Sequence, residues 1–119
     1  MVGIGWIIAG AVLGAVVLTA IDRFWNNIAN WLNNTAADAV ERVFGYNARK
    51  NMQRAVAAVS KLHDTLHNNT VVYAKKDRLD THIQKITIES DAPVYEQEQE
   101  VRELFERESK QIKEFEYKN

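Results

Sequence analysis

The first 21 of the chain's 119 residues contain no charged side chain. A helix needs about 20 apolar residues, at about 1.5 Å of rise each, to cross the hydrocarbon layer of a bilayer, and Met1 to Ile21 meets that requirement. Trp6 near one end and Trp25 just beyond the other stand where interfacial aromatics would sit. A cleaved secretory leader is disfavoured. No Lys or Arg precedes the run, and its best cleavage candidate, Leu18-Thr19-Ala20, puts a large residue where a small one is needed. A soluble helix apolar on every side would need partners all round, which is hard to arrange in a chain this short. The pattern therefore predicts a retained transmembrane helix over 1–21. Basic residues follow it (Arg23 first) and none precede it, so the positive-inside bias sets the N-terminus outside and the body in the cytoplasm.

Small residues at Gly10 and Gly14 form a GxxxG pair, which lets helix backbones approach closely in lipid. Gly3, Ile7, Gly10, Gly14, Val17, Ile21, Phe24, Ile28 and Trp31 are spaced alternately by four and three, the seam of a coiled coil. Beyond Asp22 the pattern is amphipathic. Phe24, Trp25, Ile28, Trp31 and Leu32 take one arc, while Arg23, Asn26, Asn27, Asn30 and Asn34 take the other. If the helix continues unkinked, Gly10, Gly14, Phe24, Trp25, Ile28, Trp31 and Leu32 line one association edge for a parallel bundle of identical chains. The competing reading lays Phe24 to Leu32 in the bilayer interface as a collar.

Further on, Thr35-Ala-Ala-Asp38 resembles a capping box, and Gly45 suits a helix stop. Met52, Ala55, Val56, Val59, Leu62 and Leu66 are spaced for a helix over 47–67. Val71-Val72-Tyr73 and Ile86-Thr87-Ile88 favour a hairpin of strands near 70–75 and 82–89, although Leu79, Ile83 and Ile86 also fit helical spacing. Ser90-Asp91-Ala92-Pro93 reads as a helix entry. The last helix is expected to run to about Phe115, with Glu98/Arg102, Glu103/Arg107 and Glu106/Lys110 paired four apart. The resulting fold class is mainly α: a transmembrane helix (1–21), a juxtamembrane amphipathic helical segment (22–44), and a soluble helix-hairpin-helix domain (45–119), α+β if the hairpin forms.

Charge adds one element to this picture. Fifteen Lys+Arg balance sixteen Asp+Glu, which does not suit a nucleic-acid coat. Residues 22–88 carry ten basic and six acidic side chains, whereas residues 89–119 carry five and ten. The chain is electrostatically bipolar. There is no cysteine, hence no disulfide framework and no thiolate metal site.

No catalytic signature stands out. His63-Asp-Thr-Leu-His67 would set two imidazoles one helical turn apart, but Asp64 is shorter than the Glu that HExxH proteases use, and His82 lies outside the motif. No serine lies in a GxSxG turn, and the early glycines lack the strand and Lys-Ser/Thr ending of a phosphate loop. Arg49, Lys50 and Arg54 are the expected contacts for an anionic ligand or lipid headgroup. Asn33-Asn34-Thr35 and Asn68-Asn69-Thr70 match the glycosylation acceptor pattern. Neither a catalytic residue, a metal nor a cofactor is expected. The sequence reading is a non-enzymatic membrane protein that self-assembles into a homo-oligomer as anchor or scaffold, with membrane lipid and an anionic ligand as further partners. Its alternatives are a pore-forming effector gated by such a ligand and a structural or ejection component of a large particle.

Overall fold

The computed structural model describes residues 3–6 and 19–118, and their dominant element is an antiparallel sheet. Its strands are β1 (Gly3–Trp6), β2 (Met52–Leu62), β3 (Thr65–Ala74), β4 (Gln84–Pro93) and β5 (Lys110–Lys118), in spatial order β1-β5-β2-β3-β4. Helices α1 (Ala20–Trp31) and α2 (Ala37–Phe44) are joined by a π-helical segment, Leu32–Ala36, into one long helical path. Short α3 (Tyr46–Lys50) leads into β2, and α4 (Gln99–Arg107) precedes β5.

Thr19 starts the long helix. Its hydroxyl accepts from the Asp22 amide at 3.1 Å, and the Asp22 carboxylate accepts from the Thr19 amide at 3.2 Å, a closed capping box. The inward stripe that follows is mixed in size: Phe24, Trp25, Leu32 and Val40 are large, whereas Ala20, Ala29, Ala36 and Ala37 are small. The small positions, with Ala55 and Ala57 on β2, keep side chains from holding helix and sheet apart. Phe24 meets Phe105 of α4 edge-on at 5.6 Å, and Trp25 tilts against Phe115 of β5 at 6.4 Å. Arg23 adds a bidentate contact to Glu98, the residue capping α4, with Nε donating at 3.0 Å and Nη2 at 2.6 Å. Both side chains are about half exposed, so this pair orients more than it stabilises.

These observations overturn the expected membrane topology. Gly3–Trp6 is a strand paired with Phe115–Lys118 of β5, and the helix begins only at Ala20, so the uncharged stretch is not one continuous helix. No helix among the described residues is long and apolar enough to cross a membrane. The single-pass topology, with an outside N-terminus and a cytoplasmic body, goes with it. Gly10 and Gly14 lie outside the described residues.

The mainly α class is corrected to α+β for related reasons, and neither a helical bundle nor a coiled coil is present among the described residues. The helix expected over 47–67 ends at Lys50. Met52, Ala55, Ala57 and Val59 instead point inward from β2, with a bulge between Met52 and Arg54 that brings both Met52 and Ala55 to the buried side. β2 is a central strand with Val56 and Ala58 on its other face, and apolar residues on both faces imitate helical spacing. The two-residue turn His63-Asp64 joins it to β3, with His63 in the left-handed region at φ 58°. The strands expected near 70–75 and 82–89 correspond to the longer pair β3–β4, which belongs to this larger sheet. The last helix stops at Arg107, and Lys110–Lys118 is β5, where Phe115 and Tyr117 face inward. Gly45 does end α2, at φ 99°, with its amide donating to the Glu41 carbonyl.

Polar groups are also sealed in. Thr70 donates to Asn68 Oδ1 at 2.7 Å and Asn68 donates to Ser90 Oγ at 3.1 Å, so the two buried polar side chains on β3 bond directly to each other and Asn68 also to β4. Asn68 is thus an interior strand residue, unsuited to accept a glycan in the folded chain. The Tyr117 hydroxyl and Asn33 Oδ1 are buried without a hydrogen-bond partner among the described residues. Replacing the fully buried Phe105, as in Phe105→Ala, is expected to lower the unfolding free energy by about 3–5 kcal/mol. Denaturant unfolding measures this directly, and a loss under about 1 kcal/mol would show that α4 is not seated on Phe24.

Candidate interaction surface

Apart from Ile112 on the open sheet face, the large exposed apolar side chains among the described residues gather at the two ends of the sheet. At one end α2 runs out, α3 turns back into β2, and the loop between β3 and β4 projects. The Lys75 amide donates to the Asn51 carbonyl at 3.1 Å, and Lys76 Nζ lies 5.9 Å from the centre of the Phe44 ring, which ties the loop to the helix end. Val43, Tyr46, Leu79 and Ile83 are all exposed here, Leu79 to 84%. Lys50 stands over the Tyr46 ring at 5.1 Å. Residues 42–51 and 75–85 together hold seven basic and two acidic side chains, so this tip is cationic as well as apolar.

The opposite end carries the reverse charge. The turn at His63-Asp64 is bonded to the start of the 3₁₀ segment Val94–Glu96 (Val94 amide to Asp64 carbonyl, 2.7 Å), and the Lys61 amide donates to the Ser109 carbonyl at 2.7 Å. Leu62 and Tyr95 are exposed, and residues 94–110 hold six acidic against three basic side chains. The bipolarity of the sequence thus becomes a polarity along the sheet. The segregation is carried by the loops and helices at the two ends, while the strands between them mix the charges, as where Glu114 of β5 meets Arg54 of β2.

The sheet face away from the helices is ordered into cross-strand rows. Lys110, Ser60, His67 and Asp91 lie side by side across β5, β2, β3 and β4, next to a row of Ile112, Ala58, Asn69 and Glu89. His67 Nδ1 is 2.7 Å from Asp91 Oδ1 and its Nε2 is 3.5 Å from Glu89 Oε1. Hydrogen bonding to Asp91, reinforced by the charges of Asp91 and Glu89, raises the His67 pKa above its ordinary value of 6.5. Ser60, His67 and Asp91 echo a hydrolytic triad in composition alone. The nitrogen that would take the serine proton faces Glu89, Ser60 makes no hydrogen bond to it among the described residues, and the row lies on an open sheet face. His63 sits in a turn and His67 in a strand, so the helical spacing that suggested a metal pair does not exist. No group of His, Asp and Glu able to hold a metal occurs among the described residues.

The expected contact residues are distributed differently from their grouping in the sequence. Phe24, Trp25 and Leu32 are buried inside their own chain, and Ile28 and Trp31 are partly buried at the rim of the same core. The Asn-rich arc of α1 lies on the opposite, solvent side. Arg49 is held by Asp38 and lies 4.0 Å from Glu41. Arg54 donates to Glu114 at 3.1 Å and stacks on Tyr73 at 4.4 Å, on the open sheet face. Arg49 and Lys50 both belong to the apolar cationic tip, Arg49 with its charge already paired, whereas Arg54 lies apart from it. Leu79 and Ile83 carry no binding motif, and the strand signal of Ile86-Thr87-Ile88 does not show that β4 lies at an edge.

Comparison with protein-family models, curated proteins and solved structures finds no match for the chain. Because His67 binds its proton more tightly in the fold, its contribution to stability is fully present below 6.5 and is lost as pH rises through the higher folded value. Ring proton NMR is expected to place the His67 midpoint above 6.5 and to move it down in Asp91→Asn. An unmoved midpoint would mean that the Asp91 contact is not maintained in solution.

Proposed function

We propose that the chain is a non-enzymatic, self-associating module that acts as a scaffold built from copies of itself. The observation that carries this reading is the pairing of opposite charge with exposed apolar side chains at the two ends of one sheet. A cationic end bearing Leu79 and Ile83 is complementary to an acidic end bearing Leu62 and Tyr95. Complementary potentials draw copies together and fix their relative direction, while contact between the apolar side chains supplies affinity. The open row on the sheet face, with its histidine held by two carboxylates, fits a structural role better than a chemical one.

A second reading rests on the tip alone. Leu79, Tyr46 and Ile83 beside Lys50, Lys75 and Lys76 also suit insertion at the surface of an anionic lipid layer. In this reading the protein rests on the membrane and does not span it. Sedimentation with phosphatidylserine vesicles, against neutral phosphatidylcholine vesicles, tests it. Retention on anionic vesicles alone, abolished by Lys75→Glu with Lys76→Glu, would favour it over assembly.

For the scaffold reading, sedimentation equilibrium at rising concentration is expected to give an average mass above the 13.6 kDa of one chain. The mass should fall when salt is raised from about 0.1 M to about 1 M, where the screening length drops from about 10 to about 3 Å. A constant 13.6 kDa at every concentration and salt would overturn self-association.

A further inference from the structure

β4 pairs with β3 along one edge, and its other edge has no strand beside it among the described residues. Exposed edges of this kind are usually blunted by charged side chains, proline, bulges or short length, and of these β4 carries charges at Lys85, Glu89 and Asp91. Here Gln84–Pro93 runs for ten residues in unbroken register, with its only proline at the end. The edge is open to another strand.

Its sequence is complementary to itself. Read outward from Thr87, the residues are Ile86 and Ile88, then Lys85 and Glu89, then Gln84 and Ser90. Lys85, Thr87 and Glu89 occupy the open face, whereas Ile86 and Ile88 lie half-buried against the core on the helix-covered face. We infer that two copies of this chain dimerise by antiparallel pairing of their β4 edges about a two-fold axis at Thr87, making one sheet continuous through both copies. This rests on the self-association reading and assigns its contact surface.

In that register each Ile86 lies opposite the partner's Ile88, and each Lys85 opposite the partner's Glu89, so both contacts occur twice. A two-fold axis at Ile88 instead would set Ile86 against Ser90, and a one-residue slip would bring the two faces out of match. The direction of the pairing accounts for the bipolar charge as well. Antiparallel strands bring the cationic β3–β4 loop of one copy beside the acidic stretch from Asp91 to Glu98 of the other.

Two single charge reversals and their mixture test the proposal on the full chain. Lys85→Glu makes both contacts acidic and Glu89→Lys makes both basic, so each variant alone is expected to dimerise about tenfold or more weakly than the unaltered chain. An equimolar mixture of the two should recover tight association as a mixed dimer, since every contact then joins opposite charges. Loss of fold cannot produce that recovery, and circular dichroism of each variant provides a further check. If the unaltered chain associates but neither reversal weakens it, or the mixture fails to recover, the β4 edge is not the interface, although self-association stands. A monomeric unaltered chain would sink both.

Discussion

The arrangement of this chain depends on one apolar contact: the aromatic and alanine stripe of the long helix laid against the inner face of β2, β3 and β5. Phe24, Trp25, Phe105 and Phe115 each withdraw a ring from water, at about 1.5–3 kcal/mol apiece, and they come from three separate elements, α1, α4 and β5. Helix, sheet and α4 are held together by these rings. The alanines beside them set how close the layers lie. Polar contacts such as Arg23 with Glu98 then refine an arrangement that burial has already imposed.

That contact also shows which parts of the fold are legible in the sequence. The amphipathic division of Phe24 to Leu32 from the Asn-rich arc is visible by periodicity, but periodicity does not say whether the apolar side meets another chain, a bilayer or a sheet later in the same chain. The Thr19-to-Asp22 capping box has the same spacing as Thr35-to-Asp38, yet only the first closes, because Thr35 falls within the π-helical segment. The helix start at Thr19 lies inside the uncharged opening, where the unbroken run of uncharged residues masks it. β2 is apolar on both faces and passes for a helix, whereas β3 and β4 are marked by Val, Ile and Tyr. In β5 the mixed Lys and Glu residues resemble the charged surface of α4, and the inward pair Phe115 and Tyr117 is the clearest sign of a period of two.

The surface divides similarly. Charge segregation along the chain is evident from composition and survives folding in the loops and helices at the two ends of the sheet, although β5 brings Glu114 and Glu116 back beside Arg54. Pairing of individual charges is not visible in the same way. Arg49 and Arg54 find partners 11 and 60 residues away, and such distances are set by topology. The symmetry of β4 around Thr87 acquires meaning only when β4 is seen to lie at an edge.

The buried phenol at the end of β5 has a consequence in alkali. Without a partner among the described residues and screened from solvent, the Tyr117 hydroxyl is held neutral by desolvation, well above its ordinary value of 10.0. The unfolded chain would release this proton near that value while the native chain retains it. Folding therefore weakens as the medium passes 10.0, and phenolate absorbance from this ring would report the opening of the core more than simple titration.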